Sequence, residues 1–265
     1  MSSDRETPSK PTGSDGAASG GRKGAISDSL AKPLAKRFYK DVSVGEGAFY
    51  QILLDGRAVK TPAKRALLLP TRALAEAIAE EWRAQDHEIN PALMPKTRFA
   101  NTAIDAVSDA LDEVASDITA YAGSDLVCYR AESPRDLTLL QAKHWDPLIA
   151  WAREAMGAHF TVVEGVMPVA QPRQALNAVA AALDPHEAFR LTGLHVLTTL
   201  TGSALIALAH ARGYLSADKA WAAAHVDEDY QISLWGADEE AALRRKNRRA
   251  EFDAASAFVS ALLGR

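Results

Sequence analysis

Two acidic triplets, Asp227-Glu228-Asp229 and Asp238-Glu239-Glu240, bracket Tyr230, Gln231 and Trp235, and two basic runs follow, Arg244-Arg245-Lys246 and Arg248-Arg249. Carboxylates at this density suit divalent-metal binding or acid–base catalysis, with Asp227, Asp229, Asp238 and Glu240 as candidates. The arginines are of the type that grips a phosphate backbone, and they predict steeply salt-dependent binding to DNA or RNA if they do so. Spacing argues against both readings. In a helical hairpin bent at Gly236 the first triplet lies about two turns before the bend, so the triplets need not meet. The arginine run has no exposed aromatics interleaved to stack bases. A plainer role fits the same residues: Glu240 precedes Arg244 by four positions, the spacing of a helical ion pair, and acids at 238–240 favour the positive N-terminus of the last helix.

Elsewhere the catalytic signals are missing. The chain has no glycine-rich phosphate loop, no His-Glu-x-x-His and no Gly-x-Ser-x-Gly. Its seven histidines, His87, His144, His159, His186, His195, His210 and His225, are never three to five residues apart, so no two share a helical face as metal ligands would. A histidine–carboxylate site assembled in space is invisible to spacing. The one cysteine, Cys128, excludes an intrachain disulfide and a thiolate zinc cluster, fits a reducing compartment such as the cytoplasm, and reads as a small buried hydrophobe. The expectation is a chain with no catalytic residue, no cofactor and no metal. A net charge of -4 gives no general attraction to nucleic acid or to anionic membranes.

The elements that must position these residues are of two kinds. Residues 1–35 are rich in Ser, Gly, Pro and Lys, and are expected to be a disordered tail. That tail lacks the apolar middle of a secretory signal, and its acids Asp4, Glu6, Asp15 and Asp28 do not suit a mitochondrial transit peptide. Residues 36–90 are expected to form a β-rich N-terminal domain. Arg37 to Val44 reads as a strand, Phe49 to Leu54 as another, Asp55-Gly56 as a type I′ turn, and Ala66 to Leu69 as the last strand after a solvated turn at Lys64-Arg65. A helix with Leu74, Ile78 and Trp82 on its apolar face follows.

Residues 91–265 read as a helical C-terminal domain, making the fold class α+β. One long helix is expected from Ala100 to Tyr121, and Asp146-Pro147 either caps a new helix or kinks an existing one. Asp184-Pro185 supplies the cap and first residue of a helix from about His186 to Arg212. The uncharged run Leu191 to Ala209 within it raises a membrane span. Its threonines, glycines and His195 favour a bundle helix buried on all sides, with Gly193, Gly202, Ser203 and Ala204 admitting close neighbours. Ser216 caps the next helix, which ends at Trp235-Gly236, and the last helix begins near Asp238 and buries Leu243, Phe252, Ala255, Val259 and Leu262.

Three stretches together resemble the assembly chaperone of the catalytic sector of F-type ATP synthase, the bacterial and mitochondrial family acting on the alpha subunit. They are Tyr50 to Thr71, with LDGRAVKTP and LLLPT; Met94 to Asp105 with Asp125 to Ala131 and Gln141 to Leu148; and Tyr230-Gln231 with Trp235 to Glu240. The resemblance spans about 37–263. It implies a small β-rich domain before a larger helical one, and a non-catalytic protein that holds unassembled alpha subunits against aggregation until beta subunits replace it. It also implies a functional acid in the Trp-Gly-x-Asp-x-Glu stretch, which falls on Glu240, with Glu239 beside it. Client contacts are expected at Glu240, Asp238 and Trp235, on a monomer that binds neither membrane nor nucleic acid. A second contact through Lys60, Lys64 and Arg65 competes with reading them as solvated turns. The alternatives are a carboxylate-dependent metal enzyme and a nucleic-acid-binding helical protein.

Overall fold

A computed structural model of the chain describes residues 34–165, 167–183 and 187–264. Its strands come first. β1 (Val42–Gly45), β2 (Tyr50–Leu54), β3 (Arg57–Ala58) and β4 (Leu68–Leu69) form an antiparallel sheet in which β2 pairs with the other three. Val42 faces Leu54, Leu53 faces Ala58 and Tyr50 faces Leu69. Asp55 and Gly56 have φ of 47° and 78°, the left-handed pair that a type I′ turn requires. The strand expected from Arg37 is shorter, because Tyr39 turns into the core and donates its hydroxyl to the Trp82 carbonyl at 2.7 Å.

Helix α1 (Arg72–Arg83) starts where Thr71 accepts from the Leu74 amide, and it lays Leu74 and Ile78 on the sheet. From α1, the buried Glu81 accepts from the Lys96 and Thr97 amides at 2.8 Å each and from the Thr97 hydroxyl at 2.7 Å. A carboxylate thus sits on the N-terminus of α2 (Pro95–Asp105) and ties it to α1.

The long helix expected from Ala100 to Tyr121 is broken. A 3-10 turn (Val107–Asp109) separates α2 from α3 (Leu111–Gly123). The cause is the turn expected to be solvated. Arg65 donates to the Ile104 carbonyl at 2.6 Å and pairs with Asp109, while Asp105 accepts from the Thr61 hydroxyl at 2.6 Å and the Ala63 amide at 3.0 Å. A continuous helix would need that Ile104 carbonyl for the Ser108 amide; the Ser108 hydroxyl takes it as well, at 2.8 Å.

β5 (Tyr129–Arg130) pairs in parallel with β6 (Val163–Glu164), and between them α4 (Arg135–Met156) runs unbroken through Pro147. Its Trp145 is fully buried and donates to the Ala223 carbonyl at 2.7 Å. Cys128 is buried, and burial pushes its thiol up to about 12. After α5 (Arg173–Ala182), the single helix expected from His186 proves to be two, α6 (Ala188–Thr201) and α7 (Ala204–Ala211). The caps expected at Asp184-Pro185 lie outside the described residues.

Gly202, at φ of 67°, ends α6, and Ser203 caps α7 by accepting from the Ile206 amide. This corner is locked from a distance. The fully buried Asp125 accepts from the Ser203 hydroxyl at 2.5 Å, the Leu205 amide at 3.0 Å and the Val127 amide at 3.2 Å. Gly202 therefore serves a turn, while Gly193 is the close approach: a Cβ there would lie 2.5 Å from Val259.

Among the described residues no helix is long and apolar enough to cross a membrane. α6 lies at the centre, packed on α2, α3, α7 and α10 (Glu239–Leu262). Before α10 come α8 (Ala217–Ala224), capped by Ser216, and α9 (Val226–Trp235); these were expected as one helix. They part at His225, whose φ, ψ of -122°, 21° leaves the helical region. One apolar core runs from Ile52 in the sheet to Phe252 and Phe258 in α10. Leu243 does not join it, being 58% exposed, because the first turns of α10 stand clear of the body.

Candidate functional site

α9 and α10 form a hairpin with an open wedge. α9 carries Asp227, Glu228 and Asp229 in its first turn, where carboxylates favour the helix N-terminus. It ends at Gly236, whose φ of 77° and ψ of 171° turn the chain sharply in a conformation that a side chain would resist. Asp238 then caps α10, accepting from the Ala241 amide at 2.8 Å. The two helices lean on different parts of the molecule, α9 on α4 and the C-terminal half of α10 on α6, α1 and α2. A cleft of about 720 Å³ is left between them.

The cleft has an apolar interior and a charged margin. Trp221 forms part of its lining, stacked on His225 at 3.7 Å and covered by the Arg249 guanidinium at 5.4 Å. Ile232 and Trp235 line the α9 wall and Ala241 and Ala242 the α10 wall. Trp235 is 82% exposed, an unusual position for the largest apolar side chain. Arg245 crosses the cleft from α10 to pair with Asp229 and to approach Glu228 at 3.8 Å. Arg249 pairs with Asp218 and with Asp253. His225 donates from Nδ1 to the Trp221 carbonyl at 2.8 Å, and burial pushes its imidazole below the usual range, so it is neutral at neutral pH.

Of the residues singled out in the sequence, Trp235 and Asp238 meet at the mouth of this cleft. Glu240 does not line it. At about 100° per residue, Glu240 lies roughly 100°, 140° and 180° around α10 from Ala241, Arg245 and Arg249, off the face that lines the cleft. It is paired with Arg244 four residues on, as the spacing predicts. The four carboxylates considered as a metal or acid–base set have separate partners: Asp227 accepts from Gln141 at 2.7 Å, Asp229 pairs with Arg245, Asp238 caps, and Glu240 pairs with Arg244. Among the described residues no group of three or more His, Cys, Asp or Glu is placed to hold a metal ion. Arg245 and Arg249 are committed to carboxylates rather than lying open as a phosphate track.

The sequence singles out many of the lining residues, Trp235, Asp238, Arg245 and Arg249 among them, but not the cleft that joins them, although a signal for its α9 wall was present. Trp221, His225, Glu228, Ile232 and Trp235 recur in steps of four, three, four and three, one stripe carried through two helices. Another stretch singled out builds a second, more polar pocket on the far side of α9. Arg130 is buried there, pairs with Asp146 at 2.9 Å and lies 5.2 Å over the Trp145 ring, while Gln141 holds the Ala131 amide at 2.8 Å and Asp227.

The family model described as ATP12 chaperone protein matches residues 36–153, which stops short of α9. A relative from Schizosaccharomyces pombe, the mitochondrial protein atp12, is 24% identical over 228 residues, covering 81% of this chain and 78% of its own length. The crystal structure of Atp12 from Paracoccus denitrificans is 42% identical with a TM-score of 0.80, covering 86% of this chain and 98% of that one. A candidate chaperone from Agrobacterium tumefaciens is 44% identical with a TM-score of 0.84, covering 92% of each chain.

Proposed function

From the premise that the chain belongs to the ATP12 chaperone family, we propose that it serves assembly of the ATP synthase catalytic sector by binding the unassembled alpha subunit and preventing its aggregation until beta subunits replace it. It acts by binding alone, as a cytoplasmic monomer. The observation that carries the reading to a place on the molecule is Trp235, left 82% exposed at the mouth of an apolar cleft with carboxylates around it. A holdase surface has to match an interface and still release it, so a modest apolar centre with a charged rim suits it better than a large dry patch. In this reading Trp235 and the cleft shield apolar client surface, while Asp238 and Glu240, on two sides of the tip of α10, meet basic groups of the client.

Glu240→Lys tests this. Glu240 is exposed and its pair with Arg244 is worth only about 0.3–0.5 kcal/mol, so the variant is expected to fold and melt like the parent. Its suppression of alpha-subunit aggregation, followed by light scattering, is expected to be lost. A folded Glu240→Lys protein that still protects the alpha subunit would sink the assignment of this rim. Asp238→Asn is the companion, since asparagine keeps the helix cap and removes only the charge.

A further inference from the structure

We propose that the cleft between α9 and α10 receives an amphipathic helix of the client; this rests on the alpha-subunit reading above and specifies what that reading leaves open. The first argument is backbone chemistry. Both walls are helices, whose interior amides and carbonyls are already bonded along their own axes. An extended segment laid into this apolar space would find no ladder to join, and its own polar backbone would stay unpaired. A helix brings its backbone bonds with it and offers side chains alone. The walls suit that guest: Ile232 and Trp235 present bulk from α9, while Ala241 and Ala242 are small enough to let a neighbouring backbone come close.

The second argument is charge. Arg245 and Arg249 are neutralised by Asp229, Asp218 and Asp253, whereas Lys246, which lines the cleft, has no carboxylate within ion-pairing distance among the described residues. At the other end, Asp238 and Glu239 have no cation within ion-pairing distance among the described residues. Asp238 and Lys246 are eight positions apart on α10, about 12 Å at 1.5 Å per residue. The complementary guest is a helix with a basic residue and an acidic residue about two turns apart on one face, and apolar residues between them to meet Trp235 and Ile232.

Cross-linking tests the guest directly. Benzoylphenylalanine is placed at Ile232 in one sample and at Ala242 in another, the full chain is mixed with purified alpha subunit, and the photo-adducts are mapped by mass spectrometry. Adducts from both positions are expected within one alpha-subunit segment, at residues three or four apart. Adducts two apart along a strand, adducts scattered over unrelated segments, adducts to a second copy of this chain, or no adduct from a complex that still co-purifies would each overturn the proposal. Failure of any complex to form would instead sink the alpha-subunit reading, and this proposal with it. As a second measurement, Ala242→Trp fills the cleft and is expected to weaken alpha-subunit binding by at least about tenfold, while Ala250→Trp, on an exposed position further along α10, leaves it unchanged. Equal binding by the two variants overturns the proposal.

Discussion

Asp125→Ala should lower the free energy of unfolding by about 3 kcal/mol or more, read as a shift of the denaturant midpoint by circular dichroism. The carboxylate is fully buried and is the acceptor for the Ser203 hydroxyl and the Leu205 and Val127 amides, and each buried donor left without a partner costs about 1–3 kcal/mol. Ser203 is itself the cap of α7, so the loss reaches the corner at Gly202 as well. The effect also depends on pH, with a definite sign. Burial pushes the Asp125 carboxyl up to about 6, above its unfolded value. The folded state therefore binds this proton more tightly than the unfolded one. The stabilisation from that proton is complete below the unfolded pKa of about 4, and it is lost as pH rises through about 6. Parent minus variant cancels the other carboxylates, so the stability gap is expected to be wider at pH 4.5 than at pH 7. A gap that widens with rising pH would contradict a raised Asp125.

Gly193→Leu is expected to be comparably damaging, for a reason of volume. α6 and α10 approach so closely at Gly193 that even a Cβ would lie 2.5 Å from Val259 Cγ2 and 3.3 Å from a Phe258 ring carbon. Valine has no flexible end to swing aside, and overpacking a dense interior costs about 1–3 kcal/mol for small insertions and more for a full leucine. Gly193→Ala separates this clash from helix propensity, which by itself favours alanine by about 1 kcal/mol. In a double-mutant cycle, Gly193→Ala and Val259→Ala together should cost less than the sum of the two single changes, because the second opens the space that the first fills. Simple additivity would mean that the α6–α10 approach at Gly193 is looser than a 2.5 Å Cβ contact implies.

Much of this fold could be read from the chain, and the failures among its helices are ones that periodicity does not report. The Asp55-Gly56 turn, the Ser216 cap and the pairing of Glu240 with Arg244 are local, decided within four or five residues. Four expectations for the helices failed, where a distant side chain intervenes, a stripe runs on through a break or a helix leaves the body. Arg65 captured the Ile104 carbonyl and ended α2, Asp125 set the corner between α6 and α7, His225 divided α8 from α9, and Leu243 stayed in solvent on a helix that had left the body. Hydrophobic periodicity continues across all of these breaks, so it reports which face is buried but not whether the helix is continuous. The candidate site followed the same rule. Trp235, Asp238 and Glu240 stand together as a motif in the sequence, but only the rotation of α10 shows that Trp235 and Asp238 line the cleft and Glu240 does not.

Arg245 gives the cleft a property that its apolar lining does not. By spanning from α10 to Asp229 and Glu228 on α9, it bridges the two walls of the wedge in the free protein. The loss of freedom that goes with holding two helices at one separation is then incurred at folding, before any guest arrives. On the helix-docking proposal, docking is then close to a rigid-body event, and sequence changes along the guest should register mainly as differences in residence time.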